Sequence, residues 1–239
     1  MRRHMFRWSP ARIIAGAFGS ISFIGSILLY LPWGHMPGQS ITYVDALYTA
    51  VSALCVTGLS IVDTAAVFNP FGQAILAVLI QVGGLGVSTM GAGVLLMLGR
   101  KVGIRQRNLI HDTMNLDSYS GVVRFLRTLF ATTVFIEVIG AFLGYFVFRR
   151  DYEMMESIGL SIFHSISSFN NAGLTILTKE RSMEMYAEDP FMLILTTALV
   201  FVGGLGFIVI RECWVNRFRW RKLSMHSRVS IFMAVFLLI

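Results

Sequence analysis

Apolar stretches long enough to cross a bilayer alternate with polar and basic stretches along this chain. A helix of about 20 apolar residues spans the hydrocarbon core of a membrane. Four such stretches occur, at residues 13–31, 71–98, 128–148 and 191–210, and Glu137 is the one charged residue within them. A fifth apolar run begins at residue 229 and extends to residue 239. The pattern predicts an all-α membrane protein, and the short fifth run suggests a fragment of a longer chain.

Two shorter apolar segments lie between these predicted spans. Residues 43–54 and 158–169 would each measure about 18 Å as a helix, which is too short to cross a bilayer. Each runs into a stretch that contains glycine, a pattern typical of a re-entrant helix followed by a loop. Irregular backbone at membrane depth is tolerated where it lines a water-filled cavity or is buried in protein. We therefore expect the functional site at the ends of these short helices.

The order of span, short helix, glycine loop and span occurs twice. Residues 48–63 align with residues 163–178 at an offset of 115. The identical pairs are Ser52/Ser167, Gly58/Gly173, Leu59/Leu174 and Ile61/Ile176. Farther along the chain, the sequence Val-Gly-Gly-Leu-Gly occurs at residues 82–86 and again at residues 202–206. The repeat predicts two related units that each contribute one loop to a shared site.

The repeat also divides the chain into segments. We predict a first unit at residues 1–98, a cytoplasmic connector with an amphipathic helix at 99–123, and a second unit at 124–212. A cytoplasmic loop and the start of a truncated third unit would follow at 213–239. Of the 20 lysines and arginines, 16 lie at residues 1–12, 99–127 and 211–228. Basic loops face the cytoplasm, so the pattern predicts a multi-pass plasma-membrane protein with a cytoplasmic N-terminus.

Composition and charge exclude several other classes of protein. Hydrophobic residues make up 55% of the chain and charged residues 14%, whereas a soluble domain carries about 25% charged residues. The net charge of +7 comes from residues between apolar spans, so it indicates membrane orientation rather than nucleic-acid binding. Cys55 and Cys213 have no spacing typical of a disulfide framework or a zinc site. The sequence shows no nucleophile–base pair or phosphate loop, so we predict that the protein is not an enzyme.

The two short helices have features that suit a dehydrated cation. A helix entering from outside directs its partially negative C-terminal end toward the membrane centre, and Asp45 and Glu156 lie near the opposite, positive ends. The loop that follows can direct backbone carbonyls at an ion. Gly58 and Gly173 permit backbone angles that other residues avoid. The alternative is that both are ordinary turn glycines, which their occurrence in two matching copies disfavours.

Specific motifs identify the family that the chain resembles. The sequences ALCVTGL at residues 53–59, QVGGLG at 81–86 and FNNAGL at 169–174 closely resemble potassium-translocating subunits of the Trk/Ktr/HKT family. LSIVDT at residues 59–64 and GIRQR at 103–107 are most similar to the bacterial Trk and Ktr branches. The resemblance implies a pore of four such units around a pseudo-fourfold axis, so this chain would supply half of the filter.

The resemblance also implies the site, the substrate and the partners. The expected potassium filter consists of Cys55, Val56, Thr57, Gly58, Asn170, Asn171, Ala172 and Gly173. Their backbone carbonyls would bind potassium, with sodium or protons as candidate coupling ions and no cofactor or other metal. Besides membrane lipid, the implied partners are a second full-length chain in a homodimer and a cytoplasmic nucleotide-binding regulatory subunit. An alternative hypothesis is a non-transporting membrane subunit that uses the short helices and their loops for assembly.

Three further features have competing interpretations. The Gly-Gly-Leu-Gly pairs lie within spans and follow no strand, so helix packing explains them better than a dinucleotide site. The residues expected to pack helices are Gly83, Gly84, Gly86, Gly203, Gly204 and Gly206. Glu137 within a span is a functional candidate by default, although a helix-contact role is favoured. His164 on the second short helix is expected to be packed and hydrogen-bonded rather than an ion ligand.

Overall fold

A computed structural model describes residues 10–86, 89, 122–178, 183–215 and 219–238. Within these ranges the chain forms helices joined by loops and short 3-10 turns. Most of the predicted connector at 99–123, with its amphipathic helix, lies outside the described residues. So does the second half of the predicted span at 71–98, except for Thr89.

Among the residues that the structure describes, the first unit contains four helices. They are α1 (Pro10–Tyr30), α2 (Tyr43–Leu54), α3 (Thr64–Val67) and α4 (Pro70–Leu85). The short helix predicted at residues 43–54 coincides with α2. Thr42 fixes its start, because the Thr42 side chain and the Asp45 side chain each bond the other's backbone N–H in a capping box.

The second unit repeats this order and extends beyond it. Its described helices are α5 (Val122–Phe148), α6 (Met154–Phe169), α7 (Pro190–Gly204) and α8 (Phe207–Val215), and α9 (Met225–Leu238) follows in the segment predicted to start a third unit. The second predicted short helix, at residues 158–169, forms the last part of α6. The observed helix is longer because it already begins at Met154, one turn earlier.

The helices that follow the two loops start in the same way. Asn69 accepts hydrogen bonds from two backbone N–H groups of α4, and Asp189 does the same for α7. A proline occupies the first turn in both, where its missing N–H costs nothing. The backbone N–H of Met192 and the neighbouring Arg150 hold the pKa of the partly exposed Asp189 carboxyl below its usual value.

Two described helices are long and apolar enough to cross a membrane, within Arg12–Tyr30 and Leu126–Phe148. The predicted span at 191–210 is not one continuous helix. It is divided between α7 and α8, which meet at an angle of 100°. Gly206 lies at the break with a φ of +82°, a left-handed conformation that ends a helix. Together the bent pair can count as a third span.

Each re-entrant helix packs against two other helices of its own unit. Helix α2 contacts α1 and α4, and α6 contacts α5 and α7. Small residues of α2 allow the close approach, since Ala46, Ala50 and Ala53 are fully buried. Helix α4 also contacts α6, and this contact joins the two units. The C-terminal ends of α2 and α6, with their loops, are thereby brought side by side.

Candidate functional site

The first glycine loop begins where α2 ends. Cys55 has a φ of −81° and a ψ of −1°, close to helical values. Val56 then adopts a φ of +56°, and Gly58 a φ of +73°. A positive φ is strained for a β-branched residue but readily adopted by glycine. These angles reverse the chain, which returns alongside the helix it has just left.

The second loop has nearly the same backbone conformation. Asn170 follows α6 with a φ of −80° and a ψ of 1°. Asn171 then has a φ of +57° and Gly173 a φ of +70°. Only the glycine is identical between the two loops at these positions, so the shared conformation does not depend on shared side chains. The internal repeat of the sequence is thus reproduced in the backbone.

A buried serine on each short helix bonds the returning loop. Ser52 Oγ donates to the carbonyl oxygen of Leu59 at 2.6 Å, and Ser167 Oγ donates to that of Leu174 at 2.6 Å. In each loop the backbone N–H of the residue before the glycine donates to the carbonyl of the same serine, at 3.0 and 2.8 Å. The matching serines of the repeat therefore hold both loops against their helices.

The two loops meet at their glycines. A Cβ atom on Gly58 would overlap the carbonyl oxygen of Ala172 and lie 3.4 Å from the Cα of Gly173. After the two glycines along the chain, a second contact joins the units, since the hydroxyl of Thr64 donates to the carbonyl of Thr175. All eight residues of the expected filter accordingly lie in two adjacent loops, and glycine is required where the loops approach.

Helix electrostatics at this point favour a positive charge. The C-terminal ends of α2 and α6 both lead into the loops, and unsatisfied carbonyls give a helix C-terminus partial negative charge. Acidic residues lie at the opposite ends, with Asp45 in the capping box of α2 and Glu156 in the first turn of α6. Two helix dipoles of the same sense are therefore directed at the junction of the two loops.

Glycines of α4 and α7 contact the carbonyls at the ends of the short helices. A Cβ on Gly83 would overlap the carbonyl oxygen of Leu54 and lie 2.8 Å from its carbonyl carbon. A Cβ on Gly203 would meet Phe169 in the same way, also 2.8 Å from the carbonyl carbon. The matching geometry in both units supports the helix-packing prediction for this pair.

The other four glycines of the two Gly-Gly-Leu-Gly sequences have different surroundings. A Cβ on Gly84 would overlap the side chain of Asn170, whereas one on Gly204 would have an ordinary contact of 3.8 Å with Asn171. Gly86 and Gly206 have φ values of +81° and +82°, and the helices before them have ended. For these last two, the structure indicates a role in helix termination instead of helix packing.

The side-chain partners of Asn170 are not predictable from the sequence. Its Nδ2 lies 3.1 Å from Gln81 Oε1, 3.2 Å from Glu137 Oε1 and 2.9 Å from the carbonyl oxygen of Ile166. Glu137 itself is only 9% exposed. The charge within a predicted span was visible in the sequence, but its proximity to the second loop depends on how α5 packs against α6.

His164 lies on α6 within the second unit. Its Nε2 is 3.0 Å from Thr196 Oγ1 and 3.4 Å from Ser168 Oγ. Its ring also packs edge-on against Phe148. The side chain is therefore packed and hydrogen-bonded, as the sequence predicted. Among the described residues, no group of three or more His, Cys, Asp or Glu side chains could hold a metal ion.

Comparisons with known proteins agree on one family. The family model described as TrkH, cation transport protein, matches residues 10–232 of the chain. The Ktr system potassium uptake protein B of Bacillus subtilis is 34% identical over 225 residues, covering 94% of this chain and 49% of that protein. The potassium/sodium uptake protein NtpJ of Enterococcus hirae is 35% identical over 233 residues, covering 98% and 51%.

A third relative gives the same result. The Ktr system potassium uptake protein B of Vibrio alginolyticus is 35% identical over 245 residues, covering 100% of this chain and 52% of that protein. The chain therefore spans about half the length of the curated relatives it matches.

Proposed function

Because this chain belongs to the TrkH family of cation transport proteins, we propose that it supplies two of the four filter loops of a potassium-uptake pore. The substrate is potassium, which crosses a plasma membrane down its electrochemical gradient. The ion sheds water at the junction of the two glycine loops and is coordinated there by backbone carbonyls. The residues assigned to this filter are Cys55, Val56, Thr57, Gly58, Asn170, Asn171, Ala172 and Gly173.

The observation that carries the proposal is the matched backbone of the two loops. Each ends a short helix, has a positive φ at its second residue and has a positive φ again at its glycine. Side chains differ between the loops while the backbone and its serine bond are the same. Such a pattern favours a function of the backbone, as in filters built from rings of carbonyl groups.

Electrostatics support a cation as the transported species. The C-terminal ends of α2 and α6 contribute partial negative charge near the loops. The close approach of Gly58 to Ala172 supports the proposal that the two loops share one ion. Potassium rather than sodium is proposed because two of the relatives are Ktr system potassium uptake proteins. The relative from Enterococcus hirae is a potassium/sodium uptake protein, so sodium is retained as a candidate coupling ion.

The assembled protein is proposed to be larger than this chain. Two loops provide half of a four-loop ring, and the relatives are about twice as long. We assign the basic segments, including residues 211–228, to the cytoplasm. We assign the N-terminus to the cytoplasm as well. In the proposed assembly, two full-length chains form a homodimer that binds a cytoplasmic nucleotide-binding regulatory subunit.

Potassium is expected to stabilise the purified protein more than sodium does. A ligand that binds only the folded state raises stability by RT ln(1 + [L]/Kd), which is about 2.7 kcal/mol at 100 times Kd. The protein expressed from its complete gene is heated in detergent with potassium, sodium or choline chloride at equal ionic strength. We expect the midpoint temperature of unfolding to be highest in potassium.

Choline serves as the control because it matches the ionic strength and is too large for a filter. Equal midpoints in all three salts would contradict an ion site and favour the non-transporting assembly subunit. Equal stabilisation by sodium and potassium would retain a cation site but contradict its selectivity.

A further inference from the structure

A buried polar cluster behind the second filter loop joins three helices. Glu137 comes from α5, Asn170 ends α6, and Gln81 comes from α4 of the first unit. The amide nitrogen of Asn170 lies within 3.2 Å of an oxygen from each of the other two side chains. The cluster therefore links the second loop to both units of the protein.

We infer that Glu137 is a positioning residue for potassium selectivity, holding the second filter loop in place through the side chain of Asn170. This inference rests on the proposed function, since it assigns Glu137 to the same filter. The carboxylate does not contact the ion. It acts through the hydrogen bond that its Oε1 accepts from Asn170 Nδ2 at 3.2 Å.

The amide group of Asn170 is restrained from three directions. Its two hydrogens face three acceptors, namely Gln81, Glu137 and the carbonyl oxygen of Ile166 one turn earlier on α6. The next residue, Asn171, has a φ of +57°. Fixing the Asn170 side chain therefore fixes the point at which the backbone leaves the helix for its strained turn.

Glu137 is itself held firmly. Ser165 Oγ on α6 donates to the backbone carbonyl oxygen of Glu137 at 2.8 Å, in a buried position. One turn along α5, a Cβ on Gly140 would overlap the same serine hydroxyl. Helices α5 and α6 are in close contact at this level, so the backbone from which the Glu137 side chain extends toward Asn170 is held in place.

The two filter loops differ in how they are braced. In the first loop, Thr57 Oγ1 lies 3.0 Å from Ser52 Oγ, which adds a hydrogen bond within the unit. The corresponding residue of the second loop is Ala172, which has no hydroxyl. Cys55, at the position of Asn170, is exposed. The side chain of Thr57 thus restrains the first loop, and the cluster around Asn170 restrains the second.

Replacing Glu137 with leucine is expected to lower the potassium-to-sodium flux ratio about tenfold, since a lost buried hydrogen bond corresponds to roughly that factor. Glu137→Gln keeps an acceptor oxygen at the same place and is expected to retain the ratio within about twofold. Both variants are made in the protein expressed from its complete gene, reconstituted in liposomes, and compared with the unmodified protein.

Asn170→Ala provides an independent test that keeps Glu137 intact. It is expected to lower the ratio about as much as Glu137→Leu, and the double variant should be no worse than either single change. Should Glu137→Leu fail to assemble, Asn170→Ala and Glu137→Gln still decide the question. A positioning role requires that selectivity is lost in Asn170→Ala and retained in Glu137→Gln.

The contrary results are distinct. A lower unfolding temperature with an unchanged flux ratio in Glu137→Leu and Asn170→Ala would overturn the inference, because only packing would then be affected. Loss of selectivity in Glu137→Gln equal to that in Glu137→Leu would overturn it in favour of a direct effect of charge. Absence of selective flux in the unmodified protein would overturn the proposed function, and this inference with it.

Discussion

Replacing Gly58 with serine is expected to remove most of the discrimination between potassium and sodium. Gly58 has a φ of +73°, and a Cβ there would overlap the carbonyl oxygen of Ala172 in the other loop. A non-glycine residue in a strained conformation costs of order 1–3 kcal/mol, and the overlap adds to it. Because both loops must shift, the carbonyls that we propose to replace water around potassium move, and the flux ratio should fall by at least about tenfold.

Gly38→Ser is the matched control for this change. Gly38 has a similar φ of +80°, but a Cβ there would have no neighbour within 4 Å, and the residue lies before α2 rather than in the filter. It tests the cost of the left-handed conformation alone. Selectivity should be retained in Gly38→Ser. Unchanged selectivity in Gly58→Ser would contradict the assignment of the first loop to the filter.

The second large effect is expected for Gly203→Ala. A Cβ at Gly203 would overlap the carbonyl oxygen of Phe169, which belongs to the end of α6. Overpacking costs about 1–3 kcal/mol, and here the obstacle is backbone, which gives way less than a side chain. Alanine favours a helix over glycine by about 1 kcal/mol, so a stabilising change is expected from propensity alone. Since the obstacle is rigid, the cost exceeds the gain, and we expect a net loss of about 1–2 kcal/mol of stability and reduced ion flux.

The neighbouring Gly204→Ala separates the two effects. It lies on the same helix, and its Cβ would have only an ordinary contact of 3.8 Å with the Asn171 side chain. Unfolding of both variants in detergent is followed by temperature, with flux measured in liposomes. The midpoint should fall for Gly203→Ala and be unchanged or higher for Gly204→Ala. Similar midpoints for the two would show that α7 does not need to approach the end of α6.

Much of the fold follows from local features of the sequence. The bounds of α2 were predictable because Thr42 and Asp45 form a local capping box and the apolar pattern stops at Leu54. The second loop could be aligned with the first because serine and glycine recur at the same spacing. Such signals lie within about a dozen residues, where hydropathy, capping and glycine conformation determine the structure.

Other features depend on contacts between distant parts of the chain. The approach of Gly58 to Ala172 and the bond from Thr64 to Thr175 arise only when two units pack together. The link between Glu137 and Asn170 likewise requires a particular rotation of α5 against α6. Hydropathy gives no information about such rotation, so the sequence marked Glu137 as unusual without giving its partner.

The bend between α7 and α8 also could not be predicted from the pattern of apolar residues. Residues 191–210 are uncharged and mostly apolar, and a hydropathy pattern alone cannot distinguish one straight helix from two. Gly206 is a local signal for a break, because glycine readily adopts the left-handed φ that ends a helix. The Gly-Gly-Leu-Gly pattern predicts that this glycine packs helices, whereas in the structure it lies where a helix ends.

The central claim is that the two glycine loops belong to a potassium-selective pore. Its most direct test is ion flux into liposomes that contain the protein expressed from its complete gene, with potassium and sodium compared under equal gradients. We predict potassium flux well above sodium flux and above that of empty liposomes. No flux, or equal flux of the two ions, would contradict the claim.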